Sequence, residues 1–311
     1  MYRQYFKIFE SSEDKIPHIV PHIVPKDELQ TECILIIDPQ KDFHENGSLA
    51  VLNADADAQR IANFLKERPE MKAFVTMDTH DNRHHIFLAD SWKVVGDKEH
   101  PPPFTVITYV DNKFVANCVL PNSLFKNKIV EPLENVERQR YSKKTWKNHC
   151  IDYCLGLAVK NRPSLIIWPK HCVKGTDGYA IVEIINNQLD NKQRIVEKIT
   201  KGESHETENY SVFQAEMRID ANKSTLFNTE LFDKLHTYDT IYVCGQAKSH
   251  CVNYSIRDLV DNGFPAAKLV LLENCMSPVA TYENTGNNFI VDMKKRGAKI
   301  ATVNQDEICF Q

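Results

Sequence analysis

Cys33-Ile34-Leu35-Ile36-Ile37 runs straight into Asp38, and a second apolar run, Thr240-Ile241-Tyr242-Val243-Cys244, leads through Gly245-Gln246-Ala247-Lys248-Ser249-His250 to Cys251. Short apolar runs bounded by turn and polar residues read as strands. A third stretch, Ile195-Val196-Glu197-Lys198-Ile199-Thr200, closes at Lys201. If the three are parallel strands of one sheet, Asp38, Lys201 and Cys251 emerge at the same carboxyl edge, where open α/β sheets hold their sites. A thiol, an acid and a cation gathered there read as a cysteine hydrolase.

The rest of the chain alternates the same kinds of element. Strands are predicted over 73–77, 194–198, 268–272 and 299–303, with a shorter one over 104–109 and Leu165-Ile166-Ile167 leading into Trp168. A helix is predicted over 54–67, with Ile61, Phe64 and Leu65 on one face and Asn53 as its N-cap. Trp146, Cys150, Tyr153, Cys154 and Leu157 follow helical spacing over 144–160, and that helix stops before Pro163. Further helices fit 230–236, 251–262 and 281–296. Strands alternating with helices imply an α/β fold: a three-layer α/β/α sandwich with a mainly parallel, Rossmann-like sheet. Without a domain-scale repeat or a low-complexity linker, residues 33–311 read as one domain with an insertion at about 88–163. Residues 1–32 read as an N-terminal extension, marked by the repeat Pro17-His18-Ile19-Val20 / Pro21-His22-Ile23-Val24.

The 311 residues are 42% hydrophobic and 26% charged, enough for a sizeable core. A net charge of −4 gives no basic surface for nucleic acid. No apolar stretch approaches membrane-spanning length, and Met1-Tyr2-Arg3-Gln4-Tyr5-Phe6-Lys7 holds no signal-peptide core. The nine cysteines form no regular framework and no CxxC pair. They read as reduced, and the protein as cytoplasmic.

Cys251 opens a helical pattern of Val252, Ile256, Leu259 and Val260, with Gly263 as its C′ residue. In the first turn, free amides and the positive helix end favour a thiolate. The same amides would hold a developing oxyanion. An inert buried cysteine is the competing reading. Asp38, directly after an apolar strand, would be desolvated and become a better base, or else be a loop acid. Lys201 competes with Lys174 and Lys198 for a cationic role. Asp78-Thr79-His80 follows a strand, so a carboxylate and an imidazole converge from one turn. His171 would join them from another strand end, and His84 or His85 remains open as a further ligand or pocket group. Such a set suits zinc, iron or manganese.

Four ordered segments carry a resemblance: Asp38-Pro39-Gln40-Lys41-Asp42-Phe43 with Gly47-Ser48-Leu49; Asp78-Thr79-His80; Trp168-Pro169-Lys170-His171-Cys172; and Gly245-Gln246-Ala247 through Cys251-Val252. Together they resemble the isochorismatase-like cysteine hydrolases, and among them the nicotinamidases. The likeness runs from residue 33 to about 305 and leaves the first 32 unmatched. It implies catalytic residues Asp38, Lys201 and Cys251, and selects Lys201 over Lys198 because Lys201 precedes Gly202 and stands upstream of Tyr210-Ser211-Val212-Phe213. It implies an oxyanion hole from the amides of Ala247 and Cys251 and a cis Gln246–Ala247 bond. Phe43, Trp168 and Tyr210 would wall an aromatic substrate pocket. Asp78, His80 and His171 would hold one divalent transition-metal ion, zinc first, with iron or manganese as alternatives. The implied reaction is deamidation of nicotinamide to nicotinate and ammonia. A homo-oligomer is compatible with the likeness. Asp81 after His80 departs from the family's usual proline, and the insertion exceeds that of compact nicotinamidases. Another small amide or ureido substrate, or a non-catalytic interaction role, are the alternatives.

Overall fold

The computed structural model describes residues 30–304 and 307–311. The Pro-His-Ile-Val repeat lies outside the described residues. So does the rest of the expected extension, apart from 30–32, which open the first strand. In chain order the elements are β1 (Gln30–Ile37), α1 (Ala54–Lys66), β2 (Lys72–Asp78), β3 (Trp92–Val94), β4 (Thr105–Val110) and β5 (Lys113–Cys118). There follow β6 (Lys128–Pro132), α2 (Trp146–Val159), β7 (Leu165–Ile167), α3 (Glu183–Leu189), β8 (Val196–Lys201) and α4 (Thr229–His236). The chain closes with β9 (Tyr238–Gly245), α5 (Cys251–Asp261), β10 (Leu269–Leu272), α6 (Glu283–Lys295), β11 (Lys299–Asn304) and β12 (Glu307–Phe310).

A seven-stranded sheet runs in the order β12-β11-β10-β9-β1-β2-β8. Every neighbouring pair in it is parallel except β11 with β12. The α/β expectation therefore holds. Its driving force is visible in β1, which sits between β9 and β2. Cys33, Leu35 and Ile37 enter one apolar cluster with side chains of α4, α5 and α6, while Ile34 and Ile36 enter another with those of α1 and α3. A strand covered on both sides must be apolar at every position, which is why this run lacks alternation.

The middle of the chain folds differently from the expectation. β3-β6-β5-β4-β7 form a second, wholly antiparallel sheet. Leu165-Ile166-Ile167 pairs with β4 there and not in the main sheet, so the inserted unit runs past residue 163. A legible signal for its central hairpin was present. Asp111 and Asn112 lie between β4 and β5 with φ of 48° and 59°, the positive values a two-residue turn requires. The strands themselves are short and half-exposed, and three of them escape periodicity. The helix α3 and the edge strand β12 were likewise unforeseen. Asn53 does precede α1 but makes no side-chain cap; it takes a left-handed conformation (φ 69°), which asparagine tolerates.

Where β9 leaves the sheet, Gly245 has φ 112°, and a Cβ there would lie 2.0 Å from the carbonyl oxygen of Ile37. The close approach brings the turn before Cys251 against the end of β1. Gly245→Ala is expected to lower stability by at least ~2 kcal/mol. A thermal melt of the variant checks this, and an unchanged midpoint would contradict the close approach.

Candidate active site

Four strand ends supply the polar groups. Asp38 follows β1, Asp78 ends β2 and Lys201 ends β8, with Asp78 and Lys201 directly paired across the sheet. Cys251 is the first residue of α5, reached from β9. The Lys201 Nζ lies 2.9 Å from Asp38 Oδ2, 3.0 Å from Asp78 Oδ1 and 3.6 Å from Cys251 Sγ, and it donates to Asn209 O at 3.1 Å. All four side chains are buried. The competing lysines, Lys174 and Lys198, are exposed.

Asp38 is held in an uncommon backbone conformation for a residue with a Cβ (φ 43°). Thr76 fixes it from both sides: its Oγ1 accepts from Asp38 N at 3.0 Å and donates to Asp38 Oδ1 at 2.5 Å. The loop after β1 is locked to β2 by Gln40, whose Nε2 donates to Asp78 O and whose Oε1 accepts from Asp78 N, each at 2.7 Å.

Burial pushes the Asp38 carboxyl up, against the pull of Lys201 and the Thr76 hydrogen bond. Burial also pushes the Cys251 thiol well up; Lys201 opposes it, while Asp38, including its hydrogen bond to the thiol, adds to it. Burial, which favours the thiol, thus outweighs Lys201 and the helix end, which favour the thiolate. Burial lowers the Lys201 ammonium, but Asp38, Asp78 and Cys251 outweigh it and hold it well above its usual range.

Phe43, Trp168 and Tyr210 line one cavity together with Leu49, Lys201, Ala247, Cys251 and Val279. Trp168 Nε1 donates to Tyr210 Oη at 3.0 Å, which sets two walls against each other. His250, which sequence reasoning did not single out, also lines this space. Its ring packs against Trp168, Tyr210 and Tyr282, and burial pushes it down to about 3, so it is neutral. The Gln246–Ala247 peptide is cis. Among the hydrogen bonds of the described residues, the amides of Ala247 and Cys251 donate to no acceptor.

Asp78, His80 and His171 present ligand atoms within 4.8 Å of one another. The hydrogen bonds test whether these residues suit a cation. His80 Nδ1 meets Gly202 O at 2.9 Å, and His171 Nδ1 meets Pro169 O at 2.7 Å. Carbonyl oxygens accept only, so both Nδ1 atoms carry the proton in a neutral ring. Each Nε2 then turns a lone pair toward Asp78 Oδ2, at 2.9 Å and 3.2 Å. Two lone pairs facing a carboxylate repel unless a positive charge, a ring proton or a metal cation, lies between them, and a backbone-anchored far nitrogen is the usual arrangement of a metal-ligating histidine. The donor set fits a divalent metal ion. With both ring nitrogens protonated instead, burial raises the Asp78 carboxyl, but His80, Lys201 and the His171 hydrogen bond overcome this and hold it well below its usual range.

His84 and His85 do not join that set. His84 contacts Glu137 O at 3.3 Å. His85 groups with Asp81 and His205 in a second cluster. There, Gln139 N donates to His205 Nδ1 at 2.6 Å, so in the neutral ring Nε2 is protonated and donates to Asp81 Oδ2 at 2.9 Å. Arg83 binds the same carboxylate. That cluster is a hydrogen-bonded knot joining three loops. Glu208 was also missed: it lines the cavity from an irregular segment without periodicity.

No family model matches the chain. Among curated proteins, the nicotinamidase of Saccharomyces cerevisiae (strain ATCC 204508 / S288c) is 31% identical over 108 residues, 34% of this chain and 45% of that protein. The chain thus spans less than half the length of the curated relative it matches. Among solved structures, a nicotinamidase/pyrazinamidase of Acinetobacter baumanii superposes with a TM-score of 0.55 at 20% identity, over 88% of this chain and 97% of that one. The chain has the nicotinamidase fold. The yeast nicotinamidase Pnc1p gives the same TM-score of 0.55 at 20% identity, over 87% of this chain and 99% of that one, and is also known bound to the inhibitor nicotinaldehyde. In this version of the nicotinamidase fold, no helix among the described residues is long and apolar enough to cross a membrane.

The signs of these interactions fix how Cys251 should titrate. Alkylation rate against pH should show a midpoint above the ordinary thiol value of about 8.5. Asp38→Asn removes a neighbouring negative charge and should move the midpoint down. Lys201→Met removes the opposing cation and should move it up. Equal midpoints in both variants would refute the electrostatic assignment.

Proposed function

We propose that this protein is an amidohydrolase that converts nicotinamide to nicotinate and ammonia through a thioester on Cys251. The observation that carries the reading is the contact of one buried ammonium, Lys201, with Asp38, Asp78 and the Cys251 thiol beneath an aromatic-walled cavity. The similarity to nicotinamidases, one of them solved with nicotinaldehyde, supports a flat pyridine substrate.

Asp38 takes the thiol proton, and its raised proton affinity suits it to that task. The Cys251 sulfur attacks the amide carbonyl, and the C=O electron pair moves to oxygen. The amides of Ala247 and Cys251, which have no other acceptor among the described residues, stabilise that oxyanion. Asp38 returns its proton to the nitrogen as the C–N bond breaks, and ammonia departs. Water then gives a proton to Asp38 and its oxygen to the thioester carbonyl. The acid is released, and the sulfur recovers the proton. Lys201 keeps the ionised sulfur and Asp38 in one positive field. Phe43, Trp168 and Tyr210 hold the ring between apolar faces. Asp78, His80 and His171 would hold a divalent transition-metal ion, zinc first among the candidates, which when bound would supply Lewis acidity toward a pyridine nitrogen.

Ammonia release from nicotinamide tests this directly. Cys251→Ala, Asp38→Asn and Lys201→Ala should each lower kcat/KM by at least ~100-fold with the fold retained. Full activity in Cys251→Ala would reject the scheme, and a panel of other small amides would reveal a different substrate on the same groups. Metal analysis is a separate check: wild-type protein should carry about one divalent ion per chain, and His80→Ala should lose it. Equal metal content in the two would rule out the assigned ligands.

A further inference from the structure

The turn that carries the Ala247 amide is gripped by side chains the reaction itself does not use. Gln246 precedes Ala247 and is 1% exposed. Its backbone N donates to Ile37 O at 2.8 Å. Both ends of its side-chain amide are engaged as well: Nε2 donates to Asp57 Oδ2 at 2.9 Å, and Oε1 accepts from Ser277 N at 3.4 Å. A carboxylate accepts and a backbone N–H donates, so turning the amide over would break both contacts at once. On the far side of Ala247, Lys248 N donates to Ser277 O at 2.8 Å. The Ala247 N–H belongs to the peptide unit that Gln246 begins. Pinning Gln246 by backbone and side chain together therefore sets the direction of that N–H.

Asp57 is the fixed end of this grip. It lies in the first turn of α1, is 1% exposed and does not line the cavity. Arg60 Nη2 donates to its Oδ1 at 2.8 Å, and the Ser277 hydroxyl donates to the same carboxyl group. Arg60 is anchored in turn through Nε to Asn274 O. Asn274 pairs with Val303 of β11, Nδ2 to O and Oδ1 to N, each at 2.9 Å. Burial pushes the Asp57 carboxyl up, against Ser277, Gln246 and Arg60. A buried acid needs donors, and one of those it has belongs to the residue beside the Ala247 N–H, which meets no acceptor among the described residues. An oxyanion donor is effective only when its direction is set before the charge develops.

We propose that Asp57 is a positioning residue for the oxyanion hole: through Gln246 it fixes the direction in which the Ala247 N–H meets the reacting carbonyl. This rests on the thioester chemistry proposed above and goes beyond it. It assigns part of the transition-state stabilisation to an acid on α1 that lies outside the cavity.

Steady-state kinetics on the full-length protein test the idea. Asp57→Ala should lower kcat for nicotinamide ~10- to 100-fold and leave KM within ~2-fold of wild type, because the misdirected donor matters only in the transition state. Nicotinaldehyde, whose carbonyl carbon takes the Cys251 sulfur and leaves an oxygen where the oxyanion forms, should lose affinity in parallel, whereas nicotinate should not. Asp57→Asn, which keeps an acceptor for Gln246 Nε2, should recover most of kcat. Gln246→Met should reproduce the loss, and combining it with Asp57→Ala should lower kcat no further. Additive losses would show that Asp57 acts by another route and overturn the proposal. Wild-type kcat in Asp57→Ala or in Gln246→Met overturns it too, as does a loss that falls on KM. Should Asp57→Ala fail to fold, Gln246→Met decides by the same criteria. A wild type inert toward nicotinamide overturns the functional reading, and a crystal structure of Asp57→Ala then tests the positioning without substrate. A displaced Gln246–Ala247 peptide is expected there, and the wild-type path over residues 245–248 overturns the proposal.

Discussion

The Lys201 ammonium is the constraint around which the site is organised. It is a full charge buried at the edge of the main sheet, and it survives there because two carboxylates and a thiol surround it. Removing either carboxylate would leave the other partners unbalanced in a medium that screens poorly. The sheet makes the arrangement possible. Parallel register sets the ends of β1, β2, β8 and β9 side by side, so residues up to about two hundred positions apart converge with little contribution from loops.

The same constraint reaches the proposed metal ligands. Asp78 is shared: one oxygen meets Lys201 and the other faces His80 and His171. Gly202 is what lets these groups close up. It takes φ 84°, and a Cβ there would lie 2.6 Å from Asp78 Oδ1 and 2.8 Å from His80 Cε1. The Lys-Gly pair therefore joins two requirements, a cation aimed into the site and a bare backbone beside the imidazole, whose Nδ1–H it receives through its carbonyl.

Legibility in the sequence followed packing. Strands buried on both faces announce themselves as unbroken apolar runs, and a residue at the end of such a run has a predictable place. Asp38, Asp78 and Cys251 were found that way, and Lys201 needed the resemblance to separate it from Lys198. Glu208 and His250 gave no comparable sign, because irregular backbone carries no period. The second sheet hid for a related reason: strands of three to six residues with one wet face, such as Lys113–Cys118, match no long template. The burial that raises the Cys251 thiol is a property of the whole fold, whereas a helix terminus can be read locally.

The seating of β7 has a mechanical consequence. This strand belongs to the antiparallel sheet, yet the chain leaving it supplies Trp168 and, three residues later, His171. The bridge between Leu88 and Trp168 and the contact of His80 N with Cys172 O stitch that segment to the end of β2. One aromatic wall and one imidazole thus ride on a different slab from the acids and the lysine. A small tilt of that slab would change the width of the cavity and the spacing of the Asp78, His80 and His171 side chains together, so the two are geared to each other by the architecture.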